Sequence, residues 1–387
     1  MRPEIEGEIL RQFDEPRDRR AAPLEGAEGE LRADVYADPL RFERERQLLF
    51  ARAWIPAAPT ASLARAGDVV TFELAGEPLV LTRDELGVVR ALSNVCAHRG
   101  AQIVRQPCAE LRTLRCPYHG FEYGLDGALL RRPAPESFAS SAPRLRELEC
   151  ASFGGWWWTR ANRGGPTLEE SLGAELIDEL RNYPLAELEL LCAREFDADF
   201  DWKVGIEAFL EPLHVPAIHS RSAHPLVDFR GMAARELGDH SRMALPFRAP
   251  RAYEPDGPLG ELAHRSGVRS FAALNVAQRR AHLVYLAFPS LVLMLFPNHL
   301  LALRFLPRAL GRCSVRWELR ALPAQSEPAR EWLASLTPGY ERLVAEDMEN
   351  LPWIQRGLAG ARSGPLVLSS YERRIAWFRA ALERWLR

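Results

Sequence analysis

Two short cysteine/histidine pairs, Cys96-Ala97-His98 and Cys116-Pro117-Tyr118-His119, stand seventeen residues apart and constrain this chain more than any other feature. Each pair sits in its own loop, so the fold must bring one thiolate and one imidazole from each loop to a common point. An ordinary [2Fe-2S] cluster takes four cysteines. Replacing two of them by histidines on one iron removes negative charge and raises the reduction potential, so the donor set predicts redox chemistry. A Cys₂His₂ zinc knuckle uses the same ligand types. Zinc fingers of that composition usually pair Cys with Cys and His with His, whereas here the two alternate.

The loops carry further signals. Gly100 follows the first pair and Gly120 the second, which suits tight turns that bring backbone N–H groups toward cluster sulfurs. Asp126-Gly127 is a hairpin-turn pair. With the run Cys116-Pro117-Tyr118-His119-Gly120-Phe121-Glu122-Tyr123, the segment resembles the Rieske family. The resemblance assigns Cys96, His98, Cys116 and His119 to a Rieske [2Fe-2S] cluster, with His98 and His119 on its outer iron.

A second motif lies at Glu211-Pro212-Leu213-His214-Val215-Pro216-Ala217-Ile218-His219. Two histidines five apart would sit about 140° apart on a straight helix, too far round to share a metal. Pro216 is expected to break or kink the helix between them so that the imidazoles converge. Glu211, three residues before His214, is placed to accept its Nδ1 proton and fix its tautomer. Two neutral imidazoles leave a divalent iron short of charge, so a carboxylate is needed from elsewhere. Asp347 is the best candidate, with Glu346 and Glu349 close by as alternatives or as plain helix-terminal charges.

Both motifs in this order, with the later run Gln355-Arg356-Gly357-Leu358, resemble the α subunit of Rieske non-haem iron oxygenases from about residue 34 to the C-terminus. Carried over, His214, His219 and Asp347 form a 2-His-1-carboxylate triad that leaves coordination positions open for O₂. Glu211 becomes the bridge between the two metal centres. The family often has Asn where Ala208 stands, Tyr where Leu213 stands and Asp where Glu211 stands. The resemblance implies an α+β fold: an all-β Rieske domain, and a helix-grip domain whose curved antiparallel sheet wraps a long C-terminal helix. The expected division is an arm at 1–33, mobile or partner-docking, then the N-terminal helix and Rieske domain at 34–160 and the catalytic domain at 161–387.

It further implies a homotrimer, with or without a β subunit, in which electrons cross between neighbouring subunits. No dinucleotide fingerprint or flavin motif is present, so a separate NAD(P)H-dependent reductase, with or without a ferredoxin, is expected. The expected reaction is hydroxylation of a hydrophobic, aromatic small molecule with O₂. Oxidative demethylation or amine oxidation shares every ligand and is the alternative. An electron-transfer or zinc-stabilised binding protein is the alternative of another class.

Composition bounds the rest. A net charge of −2 gives no reason to expect nucleic acid or an anionic membrane as partner. Cys108, Cys150, Cys192 and Cys313 have no framework spacing and read as reduced thiols of a cytoplasmic protein. The first 34 residues are rich in Arg and Glu and have no signal-peptide core. Leu283 to Leu306 is apolar enough to test as a membrane span, but Pro289, Pro297, Asn298, His299 and Arg304 favour three buried strands. Trp156-Trp157-Trp158 reads as a buried strand. Helices are expected near Pro39–Trp54, Leu168–Leu180, Pro328–Leu336 and Tyr371–Leu386, and strands at Glu195–Lys203 and Cys313–Leu322. The Ser220–Ala281 stretch looks loop-rich, a place for a lid. His224, His240, His264, His282 and His299 read as hydrogen-bonded structural histidines.

Overall fold

The computed structural model describes residues 1–14, 24, 29–139, 143–249, 257–360 and 366–387. The chain divides into two compact units, Arg46–Ser171 and the combination of Met1–Glu45 with Leu172–Arg387. The architecture is α+β with antiparallel sheets throughout.

The Arg46–Ser171 unit is built on a six-stranded sheet in the order Ile55–Pro59, Trp156–Arg160, Glu147–Phe153, Val89–Ser93, Glu77–Arg83, Val69–Leu74. A three-stranded sheet, Thr113–Arg115, Glu122–Gly124 and Leu129–Arg131, carries the second Cys/His loop. Trp156 and Trp158 are buried in their strand, as β propensity predicts. Val69, Val80, Leu92, Leu114, Phe121 and Tyr123 share one core with Cys96 and Cys116.

The other unit holds a seven-stranded sheet ordered Glu189–Ala198, Arg312–Ala321, His299–Ala309, Leu291–Leu295, Ala281–Ala287, His240–Pro246, Ala233–Leu237. Its centre is the apolar Leu283–Leu306 run, which forms three strands broken at the proline-containing turns. No helix among the described residues is long and apolar enough to cross a membrane.

Several expectations are corrected. The first 33 residues do not form a separate arm in the described part: Pro3–Asp14 is a helix whose Ile5, Ile9 and Phe13, spaced one turn apart, are buried. Arg2 N–H donates to Asp178, and Glu6 accepts from Val276 N–H at 2.8 Å. Residues 15–23 and 25–28 of the expected arm lie outside the described residues. Glu30–Leu31 pairs with Leu366–Val367, and Glu45 is buried against Lys203, so Met1–Glu45 belongs with the sheet-and-helix unit. Residues 161–171 join the Cys/His unit, where Pro166 O accepts from Trp54 and Arg160.

The Pro39–Trp54 helix is α-helical only over Pro39–Arg44 and continues as a π-helical stretch over Glu45–Phe50. Lys203 is not in a strand. The strand ends at Ala198, and Asp201 caps a helix over Trp202–Ala208 by accepting from Lys203 N–H. Gly205 is required in that helix because an added Cβ would overlap the Phe305 ring. The expected Pro328–Leu336 helix and the separate Asp347 segment are one helix, Glu327–Gly360, running through Pro338 and Pro352. A proline removes one hydrogen bond, but the buried residues Val344, Asp347, Leu351, Gln355 and Leu358 recur at intervals of three or four and keep one helical face packed. The Ser220–Ala281 stretch is not loop throughout its described part: turns alternate with two strands of the large sheet and with the helices Pro258–Arg265 and Val276–Arg280, and residues 250–256 lie outside the described residues.

Candidate metal centres

The two Cys/His loops have the same backbone wiring. Cys96 N–H donates to Ala101 O at 2.8 Å and Gly100 N–H to Cys96 O at 3.0 Å; Cys116 N–H donates to Phe121 O at 2.7 Å and Gly120 N–H to Cys116 O at 3.0 Å. Gly100 and Gly120 both have positive φ, 76° and 71°, which closes each loop at little steric cost. The folding of the loops brings the His98 and His119 rings to 4.7 Å and buries both cysteines. His98 is stacked on Phe121 at 4.7 Å.

Two features of this donor set fit an iron–sulfur cluster. The buried Nδ1 of His98 has no hydrogen-bond partner among the described residues, an expensive vacancy unless something binds it. Among the described residues the four Cys/His donors do not form a set close enough to share one ion, as tetrahedral zinc would need. A cluster with thiolates on one iron and imidazoles on the other keeps the pairs apart. Sequence reasoning passed over Tyr123 as a functional residue: its hydroxyl lies 3.4 Å from Cys96 Sγ and also accepts from Ala97 N–H. The run Phe121-Glu122-Tyr123 contains it, but only the folded hairpin aims it at the sulfur.

The second site is built on one short turn and one long helix. His214 and His219 flank the single turn Val215–Ile218, with Pro216 in its first turn, where a missing N–H costs nothing. Pro216 therefore kinks no continuous helix. The preceding helix has already ended at Ala208, and Glu211 lies outside any helix, its carboxylate accepting from the N–H groups of Leu213 and His214. Asp347, in the middle of Glu327–Gly360 and not at an acidic helix start, places Oδ1 3.0 Å from His219 Nε2 and 3.7 Å from His214 Nε2. Ligand atoms of the three residues all lie within 4.8 Å of one another. Asp347 Oδ2 is buried without a hydrogen-bond partner among the described residues, the second unfilled donor that a bound cation would satisfy.

Both outer ring nitrogens are held by carboxylates. Glu211 Oε1 is 2.6 Å from His214 Nδ1 and Glu346 Oε2 is 2.8 Å from His219 Nδ1. Glu346 also accepts from Ser222 Oγ at 2.5 Å. It is thus not a member of the converging set, and Glu349 is exposed. Burial alone would lower the pKa of either histidine. The carboxylates overturn it, Glu211 then Asp347 for His214 and Asp347 then Glu346 for His219, and both end above the ordinary value. Burial likewise works against the Glu346 carboxylate, but its bonds to Ser222 and His219 hold its pKa below the usual range, so it stays ionised.

Two cavities share Ala208, Glu211, His214 and Asp347. The larger, about 550 Å³, lies toward the long helix, with Asn350, Trp353 and Ile354 on its wall. Glu207 also lines it, buried and held by Tyr36 OH at 2.5 Å and Arg379 Nε at 2.7 Å. The smaller, about 50 Å³, lies toward the sheet, between Met243, Leu245, His282, Val284 and Met294.

Residues 53–149 match the Rieske [2Fe-2S] domain and residues 185–387 the ring hydroxylating alpha subunit (catalytic domain). The large subunit of anthranilate 1,2-dioxygenase from Acinetobacter baylyi is 30% identical over 195 residues, 48% of this chain and 41% of that one. The alpha subunit of an N,N-dimethyl phenylurea N-demethylase from a Sphingobium species is 27% identical over 248 residues, 62% of this chain and 52% of that one. The chain spans about half the length of the curated relatives it matches. In structure it is similar to a quaternary ammonium Rieske monooxygenase described for carnitine oxidation and inter-subunit electron transfer, with a TM-score of 0.78 at 18% identity over 95% of this chain and 100% of that one. The cofactors of the matched domains are a Rieske [2Fe-2S] cluster and a mononuclear iron. With its catalytic-domain match covering just over half of the sequence, the chain belongs to the ring-hydroxylating alpha-subunit family of Rieske oxygenases.

Proposed function

We propose that the chain is the oxygenase component of a Rieske non-haem iron system, using O₂ to hydroxylate a hydrophobic, in the first place aromatic, small molecule. The observation that carries this reading is the meeting of His214, His219 and Asp347 beside an apolar cavity, with Asp347 Oδ2 buried and without a hydrogen-bond partner among the described residues. Cys96, Cys116, His98 and His119 would hold the cluster; the two Nε2 edges and the Asp347 carboxylate would hold the mononuclear iron. When bound, the cluster relays single electrons and the mononuclear iron, with coordination positions left open, activates O₂.

The chain's own residues prepare the site. Glu211 and Glu346 each accept an Nδ1 proton, which fixes both imidazoles in the tautomer whose Nε2 lone pair faces Asp347. The aliphatic and thioether wall on the sheet side excludes water from the reacting carbon. Glu211 borders both cavities and is the candidate bridge for electron entry from the helix side.

Electrons come from a separate NAD(P)H-dependent reductase, with or without a ferredoxin. We place the protein in the cytoplasm as a homotrimer, with or without a β subunit, in which the cluster of one subunit serves the iron of the next; the inter-subunit electron transfer described for the structural relative supports this arrangement. Oxidative demethylation is the second reading, supported by the demethylase relative.

Iron analysis, electron paramagnetic resonance and O₂-dependent product formation with a reductase test the proposal together. Cluster and mononuclear iron, with an oxygenated product, are the expected result. Zinc alone, or a cluster with no mononuclear iron, assigns the chain instead to electron transfer or zinc-stabilised binding.

A further inference from the structure

Two buried histidines share one stack of rings. His282 lies face to face with Phe296 at 4.2 Å, and Phe296 with His299 at 4.5 Å. Burial pushes both imidazoles down to about 3, so each is neutral. His299 is fully used: Nδ1 faces Asn298 Oδ1 at 2.7 Å and Nε2 pairs with the Tyr340 hydroxyl. His282 is not. Its Nε2 is buried without a hydrogen-bond partner among the described residues, a state that folded proteins rarely tolerate without a use. The ring is held in place by stacking and borders the sheet-side cavity with His214, His219 and Asp347.

The rest of that wall limits what fits. Beyond the three converging residues and Glu211, its side chains are aliphatic, thioether or the single aromatic Phe209. A quaternary ammonium is recognised by several aromatic faces around the cation, and one ring does not make such a cage. The cavity, about 50 Å³, is well below the roughly 150 Å³ of an engineered cavity that admits benzene. Met243 and Met294 line it, and their unbranched side chains can repack to widen it toward His282 for the end of a substrate.

Resting on the oxygenase reading above, we propose that His282 is a specificity-determining residue whose imidazole hydrogen-bonds the single polar group of an otherwise apolar, non-cationic substrate. The substrate class is thus a hydrophobic molecule with one carbonyl, hydroxyl or N–H group, and not a quaternary amine.

Binding calorimetry on the holoenzyme with acetophenone, ethylbenzene and benzyltrimethylammonium tests this, using the wild type, His282→Phe and His282→Gln. Wild type should bind acetophenone about ten-fold tighter than ethylbenzene, the worth of one buried hydrogen bond. His282→Phe should bring the two within about two-fold, and His282→Gln, which keeps a donor and an acceptor, should restore most of the preference. The inference is overturned if His282→Phe keeps the preference, if benzyltrimethylammonium binds tightest, or if no probe binds. Iron content and cluster signal on the same samples separate the two failures. Intact metals without the expected preference overturn the role of His282 alone, while missing metals overturn the oxygenase reading.

Discussion

Glu346 Oε2 lies 2.8 Å from His219 Nδ1, while the next residue of the same helix, Asp347, lies 3.0 Å from Nε2 on the opposite edge of that ring. Consecutive helical residues point about 100° apart, so one helix reaches both edges of one imidazole. Glu346 thus sets the tautomer that Asp347 and a metal then use. Replacing Glu346 by Ala should weaken mononuclear iron binding about 10- to 100-fold, read by chelator competition. Unchanged affinity would reject the positioning role.

Asp347 supplies the only carboxylate in the converging set among the described residues. Asp347→Ala should abolish mononuclear iron and turnover while the cluster spectrum stays as in the wild type. A variant that keeps full iron would remove Asp347 from the ligand set.

Glu211 holds His214 at 2.6 Å and pins the backbone before it. The Glu211→Gln variant keeps an acceptor and loses the charge. It should retain both metals yet slow the substrate-triggered oxidation of the reduced cluster by O₂. An equal single-turnover rate would discount the bridge.

The Tyr123 hydroxyl sits 3.4 Å from Cys96 Sγ. A hydrogen bond to a ligating sulfur favours the reduced, more negative cluster. Tyr123→Phe should therefore lower the midpoint potential by roughly 40 mV, the equivalent of about 1 kcal/mol for one electron. Redox titration of the cluster signal checks both sign and size; a rise in potential would refute the assignment.

Lys203, the chain's single lysine, is fully buried between Glu45 and Asp201, with both contacts at 2.7 Å. Removing one partner of a buried ion pair leaves an uncompensated charge. Lys203→Met should cost about 3–5 kcal/mol in denaturant unfolding. If the loss is under about 1 kcal/mol, the scale of an exposed pair, the burial argument fails.

Much of the site was legible because its chemistry is local. Cys96 with His98 and Cys116 with His119 each stand within one short loop, so the donor types and their alternation can be read directly from the chain, whereas the approach of the two loops is tertiary. The three strands from Ala281 to Ala309 were legible for a similar reason, since prolines and polar groups interrupt the apolar run where the turns fall. The helix Glu327–Gly360 was not, because Pro338 and Pro352 argue locally for breaks and only packing along its whole face repays the lost hydrogen bonds. The docked N-terminal helix was hidden by its charge, although Ile5, Ile9 and Phe13 carried the stripe.

By itself the sequence determined the kinds of donor, their order and the redox class they permit, because ligand chemistry belongs to the side chains. Tertiary structure decided which acid among Glu346, Asp347 and Glu349 stands at the Nε2 edges of both histidines, that Tyr123 reaches Cys96, and that His282 Nε2 has no hydrogen-bond partner among the described residues. Each of these depends on the direction in which a side chain leaves an element packed against residues far away in the chain, and no local pattern encodes that direction.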